Sequence, residues 1–294
     1  MYQAGLWMFL SCILFALMGH FVKLASTDYH TFELMFYRAF GSLILISAVL
    51  LVRKISVKTL HFKAHLSRSL FGLGAMLTYF YTLTHLPVPT AITLNYTSPL
   101  FLGILSLFVL KEKSRALTWL SVILGFAGIL SLLQPRFASS DWMIVLVGLG
   151  SGAMAAMAYT HIKQLGAAKE PALRVVFYFS LISATGAMLL SLSQGGFTPI
   201  KDQSYPYLIG IGLTGGFGQW LITKAYSQGN TLAMGAMGFS TIVFSSLLTA
   251  MTTGSPLHLT DYLSQALIVS AGLISIYSEE KNKNSLERSK NLTR

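Results

Sequence analysis

The chain has 294 residues, of which 53% are hydrophobic and only 11% are charged, and its formal net charge is +11. Soluble globular proteins average about 25% charged residues, so this composition excludes a soluble enzyme. The high hydrophobicity excludes a disordered chain, and apolar runs that are continuous rather than alternating exclude a membrane β-barrel. The class that remains is an all-α polytopic membrane protein.

Ten apolar runs, each of about 20 residues, are long enough to cross a bilayer as helices. We predict spans at 5–25, 31–52, 67–86, 89–110, 116–134, 142–163, 173–193, 205–224, 231–253 and 260–277. Turn-forming residues separate the runs, such as Pro87 and Pro89 before the fourth and Gly229 with Asn230 before the ninth. A single cysteine, Cys12, excludes an intrachain disulfide.

The distribution of basic residues predicts the orientation of the chain. If the N-terminus is cytoplasmic, 17 of the 21 Lys and Arg residues fall in cytoplasmic segments, as is typical of membrane proteins. The first run has no basic residue before Lys23 and no suitable cleavage site, so we read it as a retained helix. We therefore predict a multi-pass protein of the cell inner membrane with both termini cytoplasmic. The lipid bilayer explains the basic charge, and no nucleic-acid partner is required.

The two halves of the sequence are weakly similar. Residues 95–101 align with 238–244, and residues 16–23 align with 156–163. Each half contains five predicted spans, and an odd number of spans forces the halves into opposite orientations. We therefore predict two inverted five-helix repeats, 5–134 and 142–277, followed by a charged cytoplasmic tail at 279–294. Secondary transporters have this architecture, with the substrate site near the midplane.

The first half contains motifs that identify a family. These are Thr82-Leu83-Thr84-His85-Leu86-Pro87-Val88-Pro89-Thr90-Ala91, Tyr96-Thr97-Ser98-Pro99-Leu100-Phe101, Leu110-Lys111-Glu112-Lys113 and Phe36-Tyr37-Arg38-Ala39. In these motifs the chain resembles the ten-helix EamA family of the drug/metabolite transporter superfamily. The resemblance implies a transporter of organic metabolites, with a cavity lined by spans 1, 3, 4, 6, 8 and 9. The second half departs from the pattern, because Ser255 stands where Glu112 has its counterpart and Ile242 replaces Pro99.

Enzymatic function is not expected. The aspartates fall in predicted loops, so the two membrane aspartates of an intramembrane aspartyl protease are missing. The sequence has no metalloprotease, nucleophile-elbow or phosphate-loop motif. We therefore predict no catalytic residue, no metal site and no cofactor. A channel or a scaffold stays open as an alternative.

Arg38 is the candidate with the clearest physical argument, since a charged side chain inside a span must face protein or water. It would act as an anion clamp, or else lie at the interface or bond to carbonyls. Glu33 is five residues away, on another side of the helix, so a pair with Arg38 is not expected. His20 and Lys23 share a helix face, where His20 would titrate or form a structural hydrogen bond.

The other candidates are polar or aromatic residues within predicted spans. Gln219, Thr223 and Tyr226 form one stripe on the eighth span, and Trp220 beside them would stack on a flat substrate or simply pack. Asn95 is not explained by the nearby proline. The complete substrate-binding set is His20, Arg38, Tyr79, Asn95, Tyr159, Gln219, Trp220 and Thr223.

The function that follows is secondary transport of a small organic metabolite by alternating access. The excess of positive charge within the spans favours an amino acid or a related zwitterionic or carboxylate solute. Two alternatives stay open, which are export of a nucleoside-like or drug-like compound and a membrane scaffold or lipid-translocating accessory role. The expected partners are the small-molecule substrate and the bilayer, with a homodimer and a monomer both open.

Overall fold

The computed structural model describes residues 2–112, 114–136, 142–254 and 258–292. Within these residues it contains twelve α-helices, one 3-10 turn at Asp202–Ser204 and no β-strand. The helices are α1 (Tyr2–Ala25), α2 (Thr31–Val52), α3 (Phe62–His85), α4 (Val88–Asn95), α5 (Ser98–Phe108), α6 (Ala116–Leu133), α7 (Trp142–Ala167), α8 (Ala172–Ser193), α9 (Tyr205–Gln228), α10 (Thr231–Gly238), α11 (Ser240–Thr253) and α12 (Leu259–Leu292). The prediction of an all-helical protein is confirmed. Lys113 and Ser255, which the sequence analysis used, lie outside the described residues.

Eight helical stretches of the described chain are long and apolar enough to cross a membrane. Two of them, Val88–Phe108 and Thr231–Thr252, combine a pair of short helices. Helices α3 and α9 lie where the third and eighth spans were predicted and have 24 residues each, but they are not among the eight. Polar residues near the start of α3 and glycines along α9 lower their hydropathy. A multi-pass membrane protein is therefore established, and the count of ten spans stays a prediction.

Successive helices run in alternating directions between two faces, except that α5 continues the direction of α4 and α11 that of α10. We call the end where α1 begins the N-terminal face and the other end the opposite face. On the N-terminal face, the loop between α2 and α3 contacts the turn between α7 and α8, where Thr59 donates to Glu170 at 2.6 Å. On the opposite face, the turn between α1 and α2 contacts the loop between α8 and α9, where the backbone of Thr198 donates to Glu33.

The main helix contacts join the first half of the chain to the second. Helix α1 packs on α9, α3 on α7, α2 on α8 and α6 on α12. Gly41 of α2 and Gly212 of α9 make one such crossing close, since a Cβ on Gly41 would lie 2.6 Å from the Gly212 backbone. Small residues at helix crossings allow this approach in membrane proteins. The halves therefore form one helical body with an extensive shared interface.

Two predicted spans are interrupted near their middle. The first break falls at Tyr96 and Thr97, just before Pro99, which lacks the backbone donor that a continuous helix would use. The Thr97 hydroxyl donates to the Leu94 carbonyl at 2.6 Å and so satisfies an acceptor at the break. The second break falls at Phe239, where the sequence has no proline. The sequence pattern alone did not predict this second break.

The end of the chain differs from the predicted boundary. The last span was predicted to stop at 277, but α12 continues to Leu292 through most of the predicted tail. Residues 278–294 contain neither proline nor glycine, so no residue there terminates a helix. Within α12, Ser278 bonds Thr118 of α6 at 2.8 Å. This contact places the start of α6 and the later part of α12 on the N-terminal face.

Candidate substrate cavity

Polar and aromatic side chains inside the bundle define a candidate cavity. Four residues are enclosed by protein yet keep part of their surface exposed: Arg38, Tyr79, Tyr96 and Tyr159. Since they lie deep in the structure, the surface that they retain faces an internal space. They come from α2, α3, the break between α4 and α5, and α7. The cavity is therefore built between the two halves of the chain.

The guanidinium of Arg38 lies inside the bundle and has only weak hydrogen-bond acceptors. Its Nη1 is 2.9 Å from the Met76 sulfur, and its Nη2 is 3.4 Å from Oε1 of Gln219. Thioethers are weak acceptors, and the second distance is long for a hydrogen bond. Gly215 leaves room for the arginine, because a Cβ there would lie 3.1 Å from its Cγ. Insertion of an arginine at a helix centre costs about 2.5–3.5 kcal/mol, so a water-filled or ligand-filled cavity suits this residue.

Glu33 does not neutralise Arg38. Its carboxylate accepts from the backbone of His30 at 2.9 Å and from the backbone of Thr198, so it caps α2 and fastens the loop before α9. Thr198 also donates through its hydroxyl at 3.3 Å. Glu33 is fully buried at the opposite face, as part of a contact between helix ends. Its role there is structural.

The polar stripe of α9 divides between the cavity and the packed interior. Gln219 accepts from Arg38, whereas the Thr223 hydroxyl donates to the Gln219 backbone at 2.7 Å and serves its own helix. Tyr226 is buried and stacks on Tyr159, with ring centroids 4.4 Å apart and planes 17° apart. Tyr159 also lies close enough to Arg38 to interact electrostatically. Two members of the stripe therefore reach the cavity wall, Gln219 directly and Tyr226 through Tyr159.

Asn95 and Tyr79 line the side of the first helix break. The Asn95 amide donates to the Ser151 hydroxyl of α7 at 3.1 Å and has part of its surface exposed. Tyr79 interacts electrostatically with Tyr96 and packs beside Phe80, with ring centroids 5.7 Å apart. Asn95 therefore has one protein partner and retains capacity for further hydrogen bonds.

Two predicted site residues lie apart from Arg38. Trp220 and Trp7 both pack around the Lys224 ammonium, at 4.7 and 4.2 Å from their ring centroids. Lys224 lies about one turn before the C-terminal end of α9, at the N-terminal face, where tryptophan and lysine often anchor a helix. His20 is partly exposed near the opposite face, and its described ring contact is with Phe21 at 6.3 Å. The structure does not bring either residue to the guanidinium of Arg38.

Arg68 was missed as a site residue because it was counted among the cytoplasmic basic residues, although it is the second residue of the predicted third span, 67–86. Helix α3 begins at Phe62 instead of 67, so Arg68 lies within its second turn. The side chain is only 2% exposed, and its guanidinium carbon lies 3.7 Å from the centroid of the Phe179 ring. The available signal was a charged residue inside a predicted span, and the observed helix begins five residues before that span.

A cluster at the N-terminal face contains one ion pair and two hydrogen bonds. We call it the Lys163 latch, and its members are Glu112, Lys163, Gly229 and Thr231. The Lys163 ammonium lies 2.9 Å from Glu112 Oε1 and donates to the Gly229 carbonyl at 2.6 Å. The Thr231 backbone at the start of α10 donates to Glu112 Oε2 at 3.0 Å. The latch therefore ties the loop after α5 to α7 and to the turn before α10.

Comparison with known families accounts for the first half of this architecture. Residues 3–134 match the model of the EamA-like transporter family. This stretch is therefore similar to the EamA-like transporter family. The matched stretch contributes Arg38, Arg68, Tyr79 and Asn95 to the candidate cavity, and the remaining chain contributes Tyr159 and Gln219. Among the described residues, no group of three or more His, Cys, Asp or Glu side chains forms a metal site.

The full chain is similar to several proteins that are named as transporters. It is 26% identical over 284 residues to an S-adenosylmethionine uptake transporter of Rickettsia prowazekii (strain Madrid E), covering 96% of this chain and 95% of that one. It is 28% identical to the pseudopaline exporter CntI of Pseudomonas aeruginosa (strain UCBPP-PA14), covering 81% and 83%. A protein of known crystal structure shares the fold, with a TM-score of 0.84 at 19% identity over 95% of this chain and 98% of that one. The relatives are named as transporters, and the structural match shows that the fold is shared.

Proposed function

We propose that this protein is a secondary transporter that moves an amino acid or a related carboxylate-bearing solute by alternating access. The observation that carries the proposal is Arg38, a partly exposed arginine deep in the bundle with weak acceptors and no carboxylate partner in the described chain. A planar guanidinium suits a carboxylate, which it binds with two parallel hydrogen bonds. Similarity to proteins named for S-adenosylmethionine uptake and pseudopaline export supports a small organic metabolite.

Helix packing supports the inverted-repeat component of this proposal. The five spans of each half would be α1, α2, α3, α4–α5 and α6, and then α7, α8, α9, α10–α11 and α12. If the halves are exchanged, the contact of α1 with α9 becomes that of α7 with α3, and both are present. The contacts of α2 with α8 and of α6 with α12 map onto themselves. Each half also has its fourth span broken in the middle. These relations are those of a two-fold repeat, and five crossings per half would make it inverted.

Alternating access is supported by a difference between the two faces, because an ion pair joins the helix ends at one face and, among the described residues, its aligned lysine is unpaired at the other. Lys163 aligns with Lys23 in the repeat, and Lys163 is held in the latch at the N-terminal face. Lys23 is exposed at the opposite face. It has no ion pair with any residue that the structure describes, a set that does not include 255–257. We infer that the structure has its cavity closed at the N-terminal face. Breaking the latch would then start the opening of that face.

The proposal also includes an orientation, in which the N-terminal face lies on the cytoplasmic side of the cell inner membrane. The excess of basic residues on that face supports it. Single cysteines at Lys58, in the exposed loop after α2, and at Ser26, in the exposed turn after α1, test it. In intact cells, an impermeant thiol reagent should label the cysteine at Ser26 and spare the one at Lys58. The reverse pattern would overturn the orientation.

The substrate is best sought without a prior choice of compound. Metabolites inside and outside cells would be compared with and without the protein, using Arg38→Ala as the inactive control at matched abundance. Candidates would then be tested by flux into proteoliposomes, with S-adenosylmethionine included among them. A carboxylate-bearing solute that moves only with the wild-type protein is the expected result. Redistribution that is equal for Arg38→Ala and wild type would contradict the proposed site.

A further inference from the structure

Arg68 is a buried charged group whose hydrogen-bonding capacity is largely unused. Its side chain is 2% exposed, and two of its nitrogens, Nε and Nη1, are buried without a hydrogen-bond partner in the described structure. Buried polar groups are normally hydrogen-bonded, because desolvation without a partner is unfavourable. An arginine that is both buried and unsatisfied therefore indicates that a binding partner is missing.

Neighbouring protein groups do not supply that partner. The contact with Phe179 is a cation–π interaction, which attracts the positive charge of Arg68. The ring has no oxygen or nitrogen atom that could accept a hydrogen bond from the guanidinium. The carboxylates whose contacts are described engage groups at the two faces: Asp28 with Lys201, Glu33 with Thr198, Glu112 with Lys163, Glu170 with Arg174, and Asp261 with the backbone of His258. None of these contacts involves Arg68. Its positive charge thus remains without a described counter-charge.

Arg68 lies near Arg38 and not at a separate surface. The two guanidiniums are close enough to interact electrostatically, and Tyr159 interacts with both. Arg38 contacts α3 at Met76, eight residues beyond Arg68, which corresponds to about 12 Å along the helix axis. The arginines therefore occupy successive levels of one cavity region, with Arg38 nearer the opposite face and Arg68 nearer the N-terminal face.

Each arginine also occupies space that a glycine provides. A Cβ on Gly72 would lie 2.9 Å from Nη1 of Arg68 and 2.8 Å from the Phe179 ring. A Cβ on Gly215 would lie 3.1 Å from Cγ of Arg38. Side chains larger than glycine at these positions would displace the guanidiniums. The bundle is therefore shaped around both arginines.

We propose that Arg68 is a second anion-binding residue and that, together with Arg38, it selects a solute with two acidic groups. Two positive charges that repel each other in a low-dielectric interior are neutralised by two negative charges, whereas a single carboxylate leaves one of them uncompensated. A dicarboxylate can place one acid group at each level of the cavity. This inference rests on the proposed function and specifies the class of its substrate.

Amino dicarboxylates and their amides provide the test. The probes are L-glutamate, L-2-aminoadipate and L-2-aminopimelate, each compared with the derivative in which the side-chain acid is an amide. Binding is measured as the concentration dependence of thermal stabilisation of the purified full-length protein in detergent. We expect at least one dicarboxylate to bind roughly tenfold more tightly than its amide, since charge-assisted hydrogen bonds are the strong ones.

Variants assign this preference to Arg68. Arg68→Gln should bind the amide as the wild type does and lose the preference for the second acid, and Arg68→Lys should retain part of it. Arg53→Gln removes an exposed charge after α2. It should change neither the binding of the amide nor the preference for the second acid. Melting without ligand shows whether each variant is folded, and Arg68→Lys serves as the test if Arg68→Gln is not.

The outcomes separate this inference from the proposed function. If the amides bind in an Arg38-dependent way but no second acid improves binding, the inference fails and the proposed function stands. The inference also fails if a preference for the second acid survives in a folded Arg68→Gln or is lost equally in Arg53→Gln. If neither the amides nor the dicarboxylates bind the wild type, the proposed class of carboxylate-bearing solutes fails as well.

Discussion

The two ends of the candidate cavity differ in burial and in ion pairing. At the end nearer the N-terminal face, Arg68 is buried, and the Lys163 latch joins α7 to the turn before α10. At the other end Arg38 keeps exposed surface, and Lys23, which aligns with Lys163, is exposed. Similar positions in the two halves thus have different environments. A repeat-built transporter acquires its two states from such inequality, because only one end is closed at a time.

Substitution of Arg38 should have the largest effect on transport. We expect Arg38→Ala to lower flux per molecule by roughly a hundredfold, since loss of a buried charged hydrogen-bond partner typically costs 2–5 kcal/mol. Arg38→Lys keeps the charge but lacks the planar fork, so it should also transport poorly. Flux and membrane abundance are measured together. Normal flux per molecule in Arg38→Lys would end the clamp hypothesis and leave Arg38 as a structural residue.

Removal of the Glu112 charge should shift the balance between the two ends. In Glu112→Gln, the ion pair with Lys163 is lost. A hydrogen bond to a charged group contributes about 1.5–3 kcal/mol to the stability of the state that contains it. We expect the state open at the N-terminal face to become at least about tenfold more populated. The reporter is a cysteine at Ser67, which bonds His161 at 2.9 Å, in a chain with Cys12→Ala.

The labelling rate of that cysteine should rise in Glu112→Gln. Asp202→Asn, an exposed residue of the opposite face, is the matched control for loss of one carboxylate. If both variants label at the wild-type rate, the latch does not close the N-terminal face. If both label faster, the change reflects general loosening of the bundle and the comparison between the ends loses its support.

The parts of this structure that were predictable are those determined by composition and span length. Continuous apolar runs predict helices, and Pro99 predicts the first helix break, because each depends on local properties of the chain. The break at Phe239 was not predictable in this way, since that residue is fully buried among other helices and no proline marks it. Tertiary packing, which a single sequence does not reveal, positions it.

The candidate site was predictable only residue by residue. Arg38 and Gln219 were recognised because polar groups within apolar runs are conspicuous, and the structure brings these two together. Trp220 was chosen as the aromatic neighbour of Gln219, but its ring packs against Lys224. Arg68 was overlooked because it was the second residue of the predicted span and was counted as a cytoplasmic charge, whereas α3 begins more than one turn earlier and the side chain is buried. Helix boundaries are the least certain part of a sequence-based prediction, and here the boundary decided whether this charge was expected at the surface or inside the bundle.

A smaller effect is expected at the contact between the loop after α2 and the turn before α8. Glu170 accepts from Thr59 at 2.6 Å and from Arg174 at 2.7 Å, and His65 lies 3.4 Å away. Burial alone would raise the pKa of Glu170, but these hydrogen bonds and the nearby positive charge outweigh it and hold the pKa below the ordinary value. Glu170→Gln should therefore lower the melting temperature by a few degrees, as expected for a loss of about 1–3 kcal/mol.

The pH dependence of that effect follows from its sign. A carboxylate with a lowered pKa in the folded state stabilises the protein above the ordinary glutamate pKa and loses this contribution as the pH falls through the lowered value. The difference in melting temperature between wild type and Glu170→Gln should thus be largest near neutral pH and shrink in acid. A difference that stays constant over the acidic range would show that the charge of Glu170 is not responsible.

The smallest effect is expected at Lys23, and it tests the comparison between the ends most directly. Lys163→Met removes the cation of the latch, so it should reproduce the faster labelling of Glu112→Gln. Lys23→Met removes the aligned cation from the opposite face, where Ser255 replaces the acidic counterpart of Glu112, so no equivalent ion pair is expected in either state. Flux should therefore change by less than about twofold, since an exposed charge contributes about 0–1 kcal/mol. Flux and the labelling rate of the cysteine at Ser67 are measured in both lysine variants to test this difference between the two faces. Equal losses in both variants would mean that the two faces close by the same means and that the asymmetry has no role in transport.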